Sequence, residues 1–203
     1  GPTVGDKIYL ADTGLVIEIE RDLTKEISGY GTEANSGGGK SFRDGMVLTP
    51  GMTSAEGVLD VAYTNAVILD PVLGVIKGDI GVKDGRIVGI GKCGNPYTQK
   101  ITPGLVVGVA TELVPLEGAI ITTGGVECHI HFLGPDQVWE AMANGVTTML
   151  GGGNGSQSQT IDAPGPWHLK EMIESHEALP VNAGFLGRGN SSLPAAIEEQ
   201  ALA

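Results

Sequence analysis

The fold of this chain is decided by the stretch Gly124-Gly125-Val126-Glu127-Cys128-His129-Ile130-His131-Phe132, which holds two of its four histidines. The stretch follows a short apolar run at residues 119–121, and that run predicts a strand. Because alternate side chains of a strand share a side, His129 and His131 are expected to project together, with Glu127 on their side and Cys128 turned away into packing. Two such imidazoles can bind one metal ion. Without context, the pair is more simply interpreted as two polar residues near a strand end, since short motifs match by chance.

The residues after this stretch alternate between helical and strand-like segments. Helices are predicted at residues 135–143 and 164–179 and from about residue 192, and strands at residues 146–150 and 181–186. This alternation predicts a parallel βα array. In (β/α)8 barrels the active site lies at the C-terminal ends of the strands, which is where His129 and His131 fall. The context therefore favours a metal site.

Residues 58–122 are predicted to be rich in strands. Short apolar segments there are separated by turn signals, and Asp84-Gly85 between two apolar runs is a strong hairpin signal. Further strands are predicted at residues 15–20 and 105–107. A glycine cluster precedes Lys40, but no strand leads into it and no clear helix follows, so we reject a phosphate-binding loop.

The predicted fold class is α/β, with a β-rich N-terminal domain at residues 1–122 and the first βα units of a metal-binding (β/α)8 barrel at residues 123–203. A complete barrel typically takes about 250 residues, so 203 residues with a leading domain hold only an incomplete one. The chain begins with Gly1 rather than Met and ends in a helical pattern. We therefore expect a piece of a longer protein or one product of a split gene.

Composition and charge argue against several classes of function. Twelve basic against 24 acidic residues give a net charge of −12, whereas nucleic-acid binders need a basic surface. No apolar run approaches the roughly 20 residues of a membrane span, and no N-terminal segment resembles a signal peptide. The two cysteines, Cys93 and Cys128, form no C-x-x-C pair, which favours a reducing compartment. We expect a cytoplasmic protein with no membrane or nucleic-acid partner.

Other polar residues near the histidine pair have simpler interpretations. His168 lies in the first turn of a predicted helix and His176 on its apolar face, so both are interpreted as structural or surface residues. Glu127 is expected either to support the ligands as a carboxylate behind them or to pair with a base such as Lys170 or Arg188. Sequence alone leaves the two roles of Glu127 open.

The stretch around the two histidines resembles the large (alpha) subunit of urease, a nickel enzyme of the amidohydrolase superfamily. Further blocks extend the resemblance over nearly the whole chain. In order they are Gly1-Pro2-Thr3-Val4-Gly5-Asp6-Lys7, Leu10-Ala11-Asp12-Thr13, Gly37-Gly38-Gly39-Lys40, Arg43-Asp44-Gly45-Met46, Asp79-Ile80-Gly81, Lys83-Asp84-Gly85-Arg86-Ile87, Gly145-Val146-Thr147-Thr148-Met149, Gly151-Gly152-Gly153, Pro164-Gly165-Pro166-Trp167 and Gly184-Phe185-Leu186-Gly187. Several blocks in the right order are far more specific than His-x-His alone.

The resemblance implies a fold, an activity and a site. Residues 1–122 would be part of a composite β-sandwich that flanks the barrel, and the completed enzyme would hydrolyse urea to ammonia and carbamate. His129 and His131 would bind one of two nickel ions, whereas the family's bridging carbamylated lysine and its remaining ligands would lie beyond residue 203. The implied partners are the remainder of the alpha subunit or a companion chain, the urease beta and gamma subunits, and nickel-delivery accessory proteins.

Two features depart from the urease pattern. Glu127 and Cys128 stand where ureases usually have Asp-Thr, and the loop at residues 154–160 is shorter than the family's loop at the urea pocket. Two alternatives stay open. One is another amidohydrolase, such as a zinc-dependent cyclic amide hydrolase, in which His-x-His after a strand would serve equally well. The other is a truncated homologue with a structural or assembly role and no catalysis.

Overall fold

The computed structural model describes residues 1–35, 47–152, 165–187 and 192–202 of the 203-residue chain. The chain is mixed α/β and divides into two compact units, Gly1–Thr123 and Gly124–Ala203. The domain boundary expected from sequence falls one residue earlier. The glycine cluster before Lys40 and the loop at residues 154–160 lie outside the described residues.

The first unit is built mainly of β-strands. Its strands are β1 (Lys7–Tyr9), β2 (Val16–Glu18), β3 (Arg21–Asp22), β4 (Val61–Asp70), β5 (Gly74–Lys83), β6 (Arg86–Gly91), β7 (Glu112–Pro115) and β8 (Ile120–Thr122). A helix, α1 (Leu23–Ser28), follows β3, and a 3₁₀ turn covers Ser54–Glu56. Strands β1 and β2 form a separate antiparallel pair. The other six form one sheet, with β3 and β6 on one edge of β5 and β7 and β8 on the far edge of β4.

Two tight turns connect the three longest strands of this sheet. Between β4 and β5, the Asp70 carboxylate accepts the backbone N–H groups of Val72 and Leu73, both at 2.8 Å. Between β5 and β6, Asp84 and Gly85 both have positive φ, 50° and 70°. Positive φ at both central residues is the geometry of a type I′ turn, whose twist matches that of the flanking strands. The hairpin predicted from Asp84-Gly85 is therefore confirmed.

Apolar clusters form around β4, and a bulge changes which of them its side chains join. Ala62 packs with Leu59 and Leu105, whereas Ala66 and Ile68 pack with a second cluster that contains residues of β5. The pairing register shifts between positions 63 and 66. A bulge adds one residue and so reverses the alternation beyond it. The apolar residues on either side of the bulge, at 61–63 and 66–69, therefore belong to one strand, although a sequence pattern shows them as two segments.

A buried ionic cluster lies beneath α1, a helix that sequence reasoning did not predict. Asp22 caps the helix by accepting the N–H of Lys25 at 3.1 Å. The Lys77 ammonium lies 3.5 Å from the Asp22 carboxylate and 3.1 Å from that of Glu33. Buried charges of this kind need partners, because burial alone would cost several kcal/mol per ion.

The second unit alternates strand and helix, as expected. Its elements are β9 (Gly125–Ile130), α2 (Asp136–Ala143), β10 (Val146–Gly151), α3 (Pro166–His176), β11 (Asn182–Phe185) and α4 (Pro194–Ala201). The three strands form a parallel sheet in the order β11, β10, β9. Its core joins Phe132 after β9, Val138 of α2 and Met149 of β10.

Two details of the expected strands are wrong. The apolar run at residues 119–121 does not lead into the histidine strand, because β8 pairs in parallel with β4 in the first unit. The histidines belong to β9, which opens the second sheet after Thr123 and Gly124. Residues 105–107 form no strand and make only isolated bridge contacts. No helix among the described residues is both long and apolar enough to cross a membrane.

Candidate metal centre

The two histidines lie together at the C-terminal end of β9. His129 is in the strand and His131 follows its last residue, Ile130. Their ring centroids are 5.5 Å apart, and the ring planes are tilted by 40°. Ile130 and Phe132 pack in the core beneath the helices, so His131, which stands between them, is expected on the opposite, open side of the sheet, with the His129 ring beside it. The structure therefore brings the two predicted site residues together.

The geometry of the pair suits a shared metal ion. Nitrogen ligands lie about 2.0–2.1 Å from a metal such as zinc, which places two imidazole centroids on one ion about 5 Å apart. Nδ1 of His131 is buried, and within the described part of the chain it has no hydrogen-bond partner. A buried nitrogen without a partner is costly, and a metal ion is one partner that would satisfy it. The two residues present thus fit a metal as part of a ligand set.

The described residues do not complete that ligand set. Across residues 1–35, 47–152, 165–187 and 192–202, no group of three or more His, Cys, Asp or Glu side chains could hold a metal ion. A catalytic metal usually has at least three protein ligands and an open position. Further ligands must therefore come from outside the described residues if the pair serves a catalytic metal.

Glu127 is not on the ligand side, contrary to the expectation from strict alternation. Residues 127 and 130 of β9 pair with residues 149 and 151 of β10, so between these pairs two residues of β9 stand opposite one residue of β10. This irregularity turns Glu127 to the helix side, where it lines a groove of about 450 Å³ with Ile130 and Met149. Its Oε1 accepts the backbone N–H of His129 at 2.8 Å. No motif in the sequence signals this contact, because it depends on a bulge.

The other polar candidates differ in how well their interpretations hold. His168 is exposed and packs edge-on against Trp167, which agrees with a surface role. Cys128, expected to be packed, is exposed, and both cysteines are free thiols. Lys170 pairs with Glu174 at 3.3 Å rather than with Glu127, and Arg188 lies outside the described residues.

An aromatic cluster supports the histidine end of β9 from the helix side. The His176 ring contacts Phe132 and Phe185 edge-on, with centroid distances of 4.7 and 4.8 Å. Edge-to-face pairs of this kind add about 0.5–1.5 kcal/mol beyond their buried area. Since Phe132 directly follows His131, the structural role expected for His176 is to hold the chain where the ligand candidates end.

Comparison with protein families supplies the observation that decides the family. Residues 1–114 match the model described as urease alpha-subunit, N-terminal domain, and residues 120–202 match the amidohydrolase family. The chain belongs to the urease alpha-subunit family. The match to the urease model covers more than half of the chain, and the amidohydrolase match contains both His129 and His131.

A curated urease alpha subunit agrees with this assignment. The protein "Urease subunit alpha" of Edwardsiella ictaluri (strain 93-146) is 50% identical over 208 residues, which cover 100% of this chain. The alignment covers 36% of that relative, so this chain spans about a third of its length. The resemblance inferred from sequence blocks is therefore confirmed. The similarity covers the whole length of this chain.

Proposed function

We propose that this chain is the N-terminal part of a nickel-dependent urease alpha-type subunit, which hydrolyses urea to ammonia and carbamate once the rest of the site is supplied. The observation that carries the proposal is the histidine pair at the end of β9, with the buried Nδ1 of His131, which has no hydrogen-bond partner among the described residues. Similarity to a urease alpha subunit over the whole chain supports urea as the substrate.

In this proposal each histidine has the same task. His129 and His131 would each offer one imidazole nitrogen lone pair to a nickel ion. When bound, the metal would polarise the urea carbonyl and activate a water molecule. The end of β9 brings the two rings to a centroid distance of 5.5 Å, and the packed Phe132 keeps the chain end in place. Pre-orientation of this kind lowers the cost of binding.

The proposal needs ligands beyond those that the described part of this chain provides. Two nickel ions in a complete site require more ligands than two histidines, and the chain spans 36% of the urease relative. The remainder of the alpha subunit, or a companion chain, would supply them and would cover the open edge of β9, which pairs only with β10 among the described strands. The urease beta and gamma subunits and nickel-delivery accessory proteins complete the proposed partners. A cytoplasmic location belongs to the same proposal, and the two free thiols agree with it.

A non-catalytic role in assembly is the second candidate. It is favoured by one observation, namely that no third metal ligand joins the histidine pair within the described residues. The zinc amide hydrolase alternative has no comparable support, because the match over residues 1–114 is to a urease model.

The test is reconstitution of the full alpha subunit from this chain and the remaining residues, with the beta and gamma subunits, followed by nickel analysis and a urea hydrolysis assay. We expect about two nickel ions per site and turnover that falls by more than about 100-fold in His129→Ala and His131→Ala, since even residues behind the ligands cost 10–100-fold. His168→Ala, an exposed histidine in α3, is the matched control and should retain activity.

Two results would separate the candidates. A fully assembled, nickel-loaded complex without turnover would support the assembly role and contradict the catalytic one. Activity that survives loss of either histidine would remove the pair from the site altogether.

A further inference from the structure

The carboxylate of Glu127 contacts the main chain of a ligand candidate. Its Oε1 lies 2.8 Å from the backbone nitrogen of His129, two residues later. The contact spans the irregular part of β9, where two residues stand opposite one residue of β10. A bulge disrupts the regular ladder and leaves an extra residue without its usual pairing. Here a side chain of the same strand accepts this N–H.

We propose that Glu127 is a positioning residue for metal binding, because its hydrogen bond fixes the main chain of His129 and so the direction of that imidazole. The inference rests on the proposed metal role of the histidine pair. Glu127 does not act as a ligand, since it lines the helix-side groove with Ile130 and Met149. Within the described part of the chain it also forms no ion pair with a basic residue.

The position of the bulge explains why this hydrogen bond affects the direction of the His129 imidazole. Beyond it, Ile130 and Phe132 must face the core for His129 and His131 to face the open side. A bulge also bends its strand and increases the local twist, so the direction of the ring at position 129 depends on how the bulge is held. The bond from Glu127 restrains the bulge at its centre.

Three substitutions separate this role from simpler ones. Glu127→Met keeps the length of the side chain and suits the apolar floor of the groove, but it removes the acceptor. Glu127→Gln removes the charge and keeps an acceptor oxygen. Glu140→Met is the matched control, because Glu140 lines the same groove and its carboxylate takes no part in the bond to His129.

The experiment is titration of the 203-residue chain with NiCl2 alone by isothermal calorimetry, with amide hydrogen exchange at His129 as a second measurement. We expect Glu127→Met to weaken nickel binding about tenfold, in the range found for residues that support ligands. Glu127→Gln and Glu140→Met should stay within about twofold of the unchanged chain. Exchange at the His129 amide should quicken in Glu127→Met and stay slow in Glu127→Gln.

The outcomes distinguish this inference from the proposed function. If His129→Ala leaves nickel binding unchanged, the proposed metal role of the pair fails. If His129→Ala abolishes binding while a folded Glu127→Met binds as tightly as the unchanged chain, only the positioning role is overturned. Equal loss in Glu127→Met and Glu127→Gln would also overturn it, because the acceptor would not be what matters. If Glu127→Met does not fold, exchange in Glu127→Gln decides, and fast exchange there contradicts the inference.

Discussion

At the scale of single residues, the most consequential buried group outside the histidine pair is Asp79. Its carboxylate accepts the N–H of Asn65 at 2.9 Å, at the bulge in β4, and the N–H of Cys93 at 2.8 Å. Burial raises the pKa of Asp79, and the nearby charge of Lys92 opposes this effect. The backbone N–H groups of Asn65 and Cys93 therefore both depend on the Asp79 carboxylate as their acceptor.

Asp79→Ala is expected to lower the free energy of unfolding by about 2–6 kcal/mol, because each of the two buried donors left without a partner costs about 1–3 kcal/mol. Asp70→Ala is the matched control, since Asp70 also accepts two backbone N–H groups, but in an exposed turn. Asp70→Ala should lower the free energy of unfolding by less than about 1 kcal/mol. Urea denaturation of both variants measures the difference. Equal losses would show that burial of the Asp79 contacts is not what makes them important.

The sequence alone predicts His129 and His131 as candidate ligands, but it does not predict where the neighbouring side chains lie. Alternation predicts that His129 and His131 share a side, and their ring centroids lie 5.5 Å apart. The same rule is wrong for Glu127, which lies before the bulge, and Cys128 was wrongly expected to be packed. A bulge results from pairing with a second strand, so no property of residues 125–131 by themselves indicates it.

At the scale of secondary-structure elements, the pairing of β9 with β10 depends on a close approach at Gly151. A Cβ added at Gly151 would lie 2.8 Å from the carbonyl carbon of Ile130. Real Cβ atoms do not approach a backbone so closely, and the main chain between the two ligand candidates would have to move. The glycine is therefore part of what places the histidines.

Gly151→Ala is expected to destabilise the second unit by about 1–3 kcal/mol, the usual cost of overpacking, and to weaken nickel binding by the chain. Gly134→Ala is its control, because a Cβ at Gly134 meets no atom within 4 Å. Denaturation followed by tryptophan fluorescence, which reports only on this unit through Trp139 and Trp167, together with nickel titration, measures both effects. Normal nickel binding by Gly151→Ala would mean that this strand contact does not position the pair.

Elements with local signals were predictable, and elements held by distant contacts were not. The Asp84-Gly85 hairpin and the helices after β9 and β10 follow from turn residues and periodicity. Helix α1 was missed because it has six residues and depends on the buried cap Asp22. The pairing of the run at residues 119–121 with β4 is not predictable from the run itself, because β4 lies about fifty residues earlier in the chain.

At the scale of the whole molecule, stability depends on pH through the cluster around Lys77. Burial tends to raise the pKa of Asp22, but hydrogen bonds from Thr24, the Lys25 N–H and Thr3, with the charge of Lys77, outweigh it and lower the pKa below the ordinary 3.8. Glu33 shows the same balance, with a pKa lowered from 4.5. Carboxylates of this kind stabilise the fold above their unfolded pKa, and the stabilisation is lost as pH falls through the folded pKa.

The free energy of unfolding should therefore fall as pH decreases from about 5 to 3. Asp22→Asn keeps the helix cap, since Asn caps as well as Asp, but removes the titrating group, so its profile should be shallower and lower at neutral pH. Asp12→Asn, an exposed position, should leave the slope unchanged. Denaturation at a series of pH values gives the comparison, and parallel profiles for all three proteins would exclude Asp22 as a source of the dependence.

The separate pairing of β8 and β9 has a practical consequence for anyone who clones the first unit. The urease family match ends at residue 114, and a stop codon placed there would delete β8. Residues 67–69 of β4, of which Val67 and Ile68 lie in the core, would lose their pairing with β8. The unpaired edge would then be prone to pair with other chains and aggregate. A stop codon after Thr123 retains all six strands of the sheet. The gene is best divided where the hydrogen bonds end, nine codons beyond the last residue of the family match.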